Sequence, residues 1–217
     1  MMRLVCANLN YSSWSIRPWL ALKHAGVEFR THDVGLKTQD DWKERILAFS
    51  GAGKVPILVD GSLSIHESLA ICEYVAELQP NAALWPADPK LRARGRAISC
   101  EMLSSFSALR KSMPVNLRSR AKHTPGGAAV EADIARVLDI WQASLGSSGG
   151  PFLLGAFSIA DCMYFPVAAR FRSYGVALEG AARSYQEALF SLPQVQELER
   201  IARDTPAITE YDAALGA

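Results

Sequence analysis

The sequence has almost no excess of charge of either sign. Its 217 residues include 23 Lys and Arg residues and 22 Asp and Glu residues, for a formal net charge of +1. No general attraction to nucleic acid or to an anionic membrane is therefore expected. No apolar run approaches the about 18 residues that a membrane-spanning helix needs, and the first residues do not have the form of a cleaved targeting signal. We expect a cytoplasmic protein that binds neither nucleic acid nor membrane.

Cysteine is scarce as well, and its spacing excludes several classes of protein. The four cysteines are Cys6, Cys72, Cys100 and Cys162. They form no CxxC pair and no short Cys/His spacing, which argues against a zinc site, a dithiol redox motif and a disulfide framework. We expect no metal, and we expect the four cysteines to be small buried apolar residues in a reducing compartment.

What the sequence does contain is typical of a folded protein. Hydrophobic residues make up 49% of the chain and charged residues 21%, which separates it from low-hydrophobicity disordered chains. A chain of 217 residues can bury one large core or two small ones. The composition therefore leaves room for a two-domain enzyme.

The first 80 residues alternate between strand-like and helix-like patterns. Strand-like patterns are present at 4–7, 28–34, 55–59 and 63–65, and helical spacing is present at 16–24, 39–49 and 66–78. Asp60-Gly61 lies between the last two strands and favours a tight hairpin turn. The predicted order is therefore βαβαββα, an α/β domain.

A proline-rich stretch at 79–89 marks the predicted boundary between two domains, and strand patterns are absent after it. Apolar residues spaced three and four apart predict one amphipathic helix from Ile98 to Met113 and another from Val130 to Leu145. Further helices are expected near 158–174, 185–192 and 193–204. The predicted division is an α/β domain at 1–80, a linker at 81–88 and an all-α helical bundle at 89–217.

Four short segments are similar to motifs of one known family. They are Tyr-Ser-Ser-Trp-Ser-Ile-Arg at 11–17, Lys-Val-Pro-Ile-Leu at 54–58, Ile-His-Glu-Ser-Leu-Ala-Ile at 65–71 and Leu-Gly-Ala-Phe-Ser-Ile-Ala-Asp at 154–161. With the βαβαββα order, they make the chain resemble the cytosolic glutathione S-transferases. The Ser-Ser-x-Ser-x-Arg core is most similar to the zeta class and to bacterial serine-type enzymes. The resemblance implies a thioredoxin-like first domain followed by an all-α domain.

The same resemblance implies a binding site for glutathione. The family pairs the residue at Val55, before a cis proline at Pro56, with the cysteinyl backbone of glutathione, and Lys54 belongs to the same motif. Ser68 is expected to bind the γ-glutamyl carboxylate at a helix start, and Glu67 is expected to contact the ammonium group. Read without the family, Val-Pro could simply begin an edge strand, and the Glu-Ser pair could simply cap a helix.

The implied chemistry is activation of the glutathione thiol. A free thiol with a pKa of about 8.5 is mostly protonated at neutral pH, whereas the thiolate is the nucleophile. Aligned with the zeta-type motif, Ser12 is the first candidate for a hydroxyl that donates to the sulfur, and Ser13 is the second. Tyr11 is a rival donor, because other classes use a tyrosine near the end of the first strand. A role for these serines in helix capping alone also stays open.

Substrate selection is expected to fall to the second domain. Trp14, Arg110 and Met113 are predicted to line an apolar second site with one cationic corner, near Tyr164. Arg17 is expected either to stabilise anionic glutathione or to pair with an acid at the domain interface. Ser158-x-x-Asp161 predicts a capping box with a structural role.

The resemblance thus predicts a homodimeric transferase that conjugates glutathione, its co-substrate, to small hydrophobic electrophiles. Two alternatives remain. Ser12 and Ser13 also suit a glutathione-dependent isomerase of the maleylacetoacetate type, although Trp14 replaces a small cysteine in that motif. The chain could instead bind glutathione without activating it.

Overall fold

A computed structural model describes residues 1–35 and 40–213 of the chain. The strands are β1 (Met2–Cys6), β2 (Phe29–Asp33), β3 (Ile57–Asp60) and β4 (Leu63–His66). The helices of the first part are α1 (Ser13–His24), α2 (Trp42–Leu47) and α3 (Ser68–Leu78), followed by a 3-10 turn at Pro80–Ala82. The later helices are α4 (Pro89–Ser104), α5 (Ser107–Ser112), α6 (Ala128–Ser148), α7 (Ile159–Ser173), α8 (Gly180–Ser191), α9 (Pro193–Asp204) and α10 (Thr209–Ala213). The predicted βαβαββα order is confirmed, but the predicted start of the second helix at Gln39 lies outside the described residues.

The four strands form one mixed sheet in the order β2-β1-β3-β4. β1 is parallel to β2, as expected when a helix connects two neighbouring strands, and it is antiparallel to β3. β3 and β4 form the predicted hairpin. Asp60 pairs with Leu63, so the two-residue turn consists of Gly61 and Ser62, one position later than predicted. Gly61 has a φ of +58°, a conformation that glycine adopts without a steric penalty.

Helix α1 positions the residues of the predicted site and lies deep in the molecule. The Ser12 hydroxyl accepts a hydrogen bond from Ser15 N–H at its start, as an N-cap does. Ile16, Trp19 and Leu20 are essentially inaccessible to solvent. Because α1 packs against both α3 and α7, its amino-terminal end is held between the sheet domain and the helical part.

The second part is all helical, as predicted, but the predicted helix from Ile98 to Met113 is wrong. The chain leaves α4 at Ser105, which is extended, and Phe106 has a φ of +61° before α5 begins. Phe106 is almost fully buried, and burial of its ring offsets the cost of this backbone conformation. The apolar spacing continues across the break because α4 and α5 both contribute to buried clusters, so it does not reveal the bend.

The main hydrophobic core runs through both parts of the chain. Leu4, Trp19 and Leu20 from the sheet domain belong to the same buried cluster as Phe157 and Phe165 from the helical part. The predicted capping box at the start of α7 is present, because Asp161 accepts hydrogen bonds from Ser158 N–H and from the Ser158 hydroxyl. Three cysteines are buried as predicted, but Cys100 is exposed.

Among the described residues, no helix is both long and apolar enough to cross a membrane. Within the same residues, no group of three or more His, Cys, Asp and Glu side chains is arranged to hold a metal ion.

Candidate active site

A cavity of about 670 Å³ opens beside the start of β3. Its wall includes Lys54, Val55, Pro56 and Glu67, four of the five residues predicted to bind glutathione, together with Trp14 from α1. We call it the first cavity. The fold therefore brings the β3 edge, the start of α3 and the start of α1 around one space.

The peptide bond between Val55 and Pro56 is cis, as expected. Val55 precedes β3, and in the described part of the chain no backbone hydrogen bond uses its N–H or its C=O. An extended ligand can therefore pair with this edge in the way that a short added strand does. Such pairing uses main-chain atoms and does not depend on the valine side chain.

The start of α3 supplies the second wall of the first cavity. Glu67 is exposed and has a φ of +75°, which is unusual for a residue with a side chain. Ser68 follows as the first residue of α3, and its hydroxyl is buried with no hydrogen bond partner among the described residues. Ser68 is not among the described residues that line the first cavity.

The start of α1 carries the two serines predicted to activate a thiol. Ser12 donates from its hydroxyl to Ser15 Oγ, at 2.9 Å, and Ser15 Oγ also accepts a hydrogen bond from Ala7 N–H. Ser12 thus caps the helix, and it does not line the first cavity. In the described residues, the N–H groups of Ser13 and Trp14 make no backbone hydrogen bond. They give the start of α1 an unpaired, positively polarised end.

Tyr11, the rival donor, is fully used elsewhere. Its hydroxyl donates to Asp212 Oδ1 at 2.8 Å, and it accepts from Arg118 Nη2 at 2.7 Å and from Ile208 N–H at 3.0 Å. One donor and two acceptor positions are all that a tyrosine hydroxyl offers. Tyr11 therefore holds the carboxyl-terminal helix α10 in place and has no free proton for a thiol.

A second cavity of about 440 Å³ also borders the start of α1. Ser13, Trp14 and Arg110 line it together with Lys111 and Arg170. Trp14 is among the lining residues of both cavities. The predicted association of Trp14 with Arg110 is present, with the Arg110 guanidinium carbon 4.5 Å from the centre of the indole ring.

Arg17 contacts Trp14 and has no ion-pair partner in the described part of the chain. It is fully buried, its guanidinium carbon is 4.2 Å from the centre of the Trp14 ring, and its Nε and Nη1 have no hydrogen bond partner among the described residues. Burial, together with the like charges of Arg170 and Arg110, lowers the pKa of Arg17 to about 9. None of the ion pairs in the described part of the chain includes Arg17, so the predicted pairing with an interface acid is wrong.

Comparison with known proteins decides the family. Residues 11–78 match the glutathione S-transferase N-terminal domain, and residues 124–211 match the glutathione S-transferase C-terminal domain. The chain belongs to the glutathione S-transferase family. The predicted family and enzyme class are thereby confirmed.

Relatives of this glutathione S-transferase family member differ in their named activities. It is 31% identical to a probable maleylacetoacetate isomerase of Caenorhabditis elegans over 156 residues, which are 71% of this chain and 72% of that protein. It is 26% identical to the mouse glutathione S-transferase omega-2 over 78% of this chain and 66% of that protein. A solved glutathione transferase homologue from Burkholderia GL BGR1 with bound glutathione has 22% identity and a TM-score of 0.73, covering 94% of this chain and 99% of that one. This last likeness confirms the predicted thioredoxin-like and all-α fold.

One predicted residue of the transferase's substrate site is wrong. Met113 is fully buried in a cluster with Val130 and Tyr174, and it lines neither the first nor the second cavity. Tyr164, expected nearby, is also fully buried and donates to the Ile98 carbonyl.

Two residues at the site of this transferase family member had no signal in the sequence. Arg170 lies in the middle of α7 and reaches the second cavity only because α7 packs against α1. Tyr211 on α10 lines the first cavity and lies 5.2 Å, between ring centres, from Tyr11. Both depend on contacts between distant parts of the chain, which local spacing does not encode.

Proposed function

We propose that this chain is a glutathione S-transferase that binds reduced glutathione in the first cavity and transfers its thiol sulfur to small hydrophobic electrophiles. The observation that carries the proposal is the meeting of three elements at one cavity. These are the free backbone edge at Val55, the start of α3 at Glu67 and the start of α1 at Trp14. Each offers a group that one part of glutathione requires.

The tripeptide would bind in an extended form. Its cysteinyl N–H and C=O pair with the free C=O and N–H of Val55 as a short added strand. Its γ-glutamyl carboxylate lies at the first turn of α3, where unpaired N–H groups and the helix dipole favour an anion. The carboxylate also gives the Ser68 hydroxyl the partner that it lacks. Glu67, which is exposed at the cavity, receives the ammonium group, and Lys54 adds a positive charge to the rim.

The start of α1 would favour the thiolate over the thiol. The unpaired N–H groups of Ser13 and Trp14 and the dipole of α1 stabilise a negative charge. A hydroxyl that donates to sulfur adds to this effect, and a shift of about two pKa units corresponds to roughly 2.7 kcal/mol. Ser12 and Ser13 are the two proposed donors. In the structure the Ser12 hydroxyl donates its proton to Ser15 Oγ. It can donate to the sulfur instead if the two hydroxyls exchange roles and the Ser15 hydroxyl donates to Ser12 Oγ.

The experiment is an ultraviolet titration of the thiolate of glutathione bound to wild-type, Ser12→Ala, Ser13→Ala and Tyr11→Phe proteins. We expect the bound thiol to titrate well below its value in solution in the wild type and in Tyr11→Phe. One of the two serine variants should abolish the shift. Ser12→Thr is the matched control, because threonine keeps both the helix cap and the hydroxyl.

An unshifted thiol pKa in a wild-type protein that still binds glutathione would contradict the proposed catalysis. The chain would then be a glutathione-binding protein. Loss of the shift in Tyr11→Phe with both serine variants unaffected would instead assign the donor role to Tyr11.

A second candidate function is glutathione-dependent isomerisation of a maleylacetoacetate-type substrate. It is supported by the identity of 31% to the probable isomerase of Caenorhabditis elegans and by the cationic lining of the second cavity. An assay that follows cis-to-trans isomerisation of maleylacetoacetate at a catalytic concentration of glutathione separates the two functions. Isomerisation without consumption of glutathione would favour the isomerase.

We also propose that the protein is a homodimer of the cytosol. The resemblance to the family supports the dimer, and the exposed side chains of Leu63 on β4 and Leu78 on α3 offer apolar surface for a partner. The four free cysteines suit a reducing compartment. Sedimentation velocity tests the oligomeric state, since a dimer has twice the mass of the 23.6 kDa chain.

A further inference from the structure

We propose that the second cavity binds a carboxylate on the electrophile, with Arg110 and Arg170 as the residues that recognise it. The proposal rests on the proposed transferase function, because it assigns the charged end of the second substrate. The favoured substrates are therefore small apolar electrophiles that also carry one anionic group.

The first argument is the balance of charge around the second cavity. Arg110, Lys111 and Arg170 line it, and no Asp or Glu is among its described lining residues. Some arginines elsewhere do pair with an acid, as Arg96 does with Glu73 and Arg136 with Glu101. In the described part of the chain, no ion pair includes any of the three cations of the second cavity.

The second argument is that backbone carbonyls, and not carboxylates, hold the two arginines. Arg170 donates from Nε to the Met113 carbonyl at 2.6 Å and from Nη1 to the Pro166 carbonyl at 3.1 Å. Arg110 donates to the Leu103 carbonyl at 3.4 Å. These bonds orient the guanidinium groups without neutralising them, so an incoming anion still finds a full positive charge.

Trp14 fixes the position of this charge. The guanidinium carbons of Arg17 and Arg110 lie 4.2 Å and 4.5 Å from the centre of its ring. Stacking on an indole holds a planar guanidinium in a defined orientation and leaves its edge donors available. A guanidinium edge matches the two oxygens of a carboxylate, which makes a carboxylate a better fit than a compact anion.

Burial makes the interaction stronger than a surface ion pair. Arg170 is only 4% exposed and Arg110 is half-buried. Burial lowers the pKa of both side chains, and with the like charge of Arg110 it lowers the pKa of Arg170 to about 9. A carboxylate that enters the cavity compensates for the lost hydration in a medium of lower dielectric constant than water.

The second cavity lies close to the proposed position of the reacting sulfur. Ser13 and Trp14 line it and also form the first turn of α1, where the thiolate is proposed to lie. A carboxylate held by Arg110 and Arg170 therefore fixes one end of the electrophile and directs its reactive carbon toward the sulfur. In the reaction itself the thiolate sulfur forms a bond to that carbon, and either a leaving group departs or a proton is taken up at the neighbouring carbon.

The test measures binding of two matched conjugates by calorimetry. S-(3-carboxypropyl)glutathione and S-butylglutathione have side chains of similar length, and only the first carries a carboxylate. Reduced glutathione is measured beside them. We expect the wild type to bind the carboxylate conjugate about tenfold more tightly than the butyl conjugate, the scale of one charge-assisted hydrogen bond.

The variants assign the preference to residues. Arg110→Gln should remove most of the preference, and Arg110→Lys should restore part of it by restoring the charge. Arg136→Gln is the matched control, because Arg136 is an exposed arginine that pairs with Glu101 and lies outside both cavities. The control should keep the wild-type preference.

The outcomes separate this proposal from the proposed function. If the wild type binds the two conjugates equally tightly, the proposed carboxylate site is contradicted, and no variant is needed to reach that result. If Arg110→Gln keeps the preference, the assignment to Arg110 is wrong. If Arg110→Gln raises the pKa of the bound glutathione thiol and leaves the preference for the carboxylate conjugate intact, the proposal is also wrong. The arginines would then stabilise the thiolate. Failure of reduced glutathione itself to bind would contradict the proposed function.

Discussion

Three consecutive residues at the start of α1 show how the surroundings determine the role of a hydroxyl. The Tyr11 hydroxyl is occupied by three hydrogen bonds to the carboxyl-terminal region, and Ser12 caps the helix through Ser15. The Ser13 hydroxyl has no hydrogen bond partner among the described residues and borders the second cavity. The sequence places all three close to the predicted thiol, but only tertiary contacts distinguish them.

Tyr11→Phe should loosen α10 while leaving the thiol of bound glutathione activated. The change removes the donor to Asp212 and the acceptor for Arg118 and Ile208, and a bond to a charged group contributes about 1.5 to 3 kcal/mol. Faster hydrogen exchange in residues 209–213, measured by mass spectrometry, is the expected result. Val130→Ala, a buried change elsewhere, serves as the control for general loosening. Unchanged exchange at α10 would show that Tyr11 does not hold it.

At the scale of elements, α4 packs so closely against its neighbours that a side chain at one of its glycines would clash with them. Gly95 lies inside α4, where alanine is ordinarily the better helix former by about 1 kcal/mol. A Cβ at Gly95 would lie 2.5 Å from Leu154 Cδ1 and 2.8 Å from a ring carbon of Trp85. The close approach of these two side chains therefore requires the absence of a side chain at this position.

Gly95→Ala should lower the free energy of unfolding by about 1 to 3 kcal/mol, the usual cost of overpacking a core. Chemical denaturation of the variant and the wild type measures the difference. Gly146→Ala in α6 is the matched control, because a Cβ at Gly146 meets no atom within 4 Å. That control should be neutral or stabilising, and a loss of stability in both variants would contradict the packing argument.

Local patterns predicted most elements but not how they meet. The hairpin at residues 57–66 and the capping box at Ser158 are encoded by neighbouring residues, and both are present. The break at Phe106 was not predictable from spacing, because the apolar residues on either side of it are buried alike. Arg170 reaches the second cavity through packing of distant helices, for which a single sequence carries no local signal.

The predicted site has the same limits. Lys54, Val55, Pro56 and Glu67 are close in sequence to β3 and β4, so their meeting follows from the hairpin and the helix after it. The second cavity, by contrast, is built from α1, α5 and α7, which are distant in sequence. Of the three residues predicted to line the substrate site, Trp14 and Arg110 line it and Met113 does not. The predicted division into domains at residues 81–88 stays a prediction.

At the scale of the molecule, the shared core predicts one cooperative unfolding transition. Trp19 of α1 lies in the same buried cluster as Trp141 of α6, and α1 packs against α7 as well as α3. Neither part can lose its structure without exposing apolar surface of the other. The two predicted domains should therefore not melt separately.

Thermal unfolding followed by far-ultraviolet circular dichroism and by tryptophan fluorescence should give coincident curves. Coincidence of different probes is the standard test of a two-state transition. Gly95→Ala, a change in the helical part, should shift both curves by the same amount. Two separate steps, or a shift in one probe alone, would show that the parts unfold independently.

The backbone at Glu67 has a consequence for how this protein can change over generations. A residue with a side chain held at a φ of +75° costs roughly 1 to 3 kcal/mol, and glycine would remove most of that cost. We therefore expect Glu67→Gly to raise the melting temperature, with Glu77→Gly in the exposed part of α3 lowering it as the control. The same Glu67 change removes the proposed partner of the glutathione ammonium and should weaken binding of reduced glutathione. At this one position, selection for a more stable fold and selection for tighter glutathione binding therefore act in opposite directions.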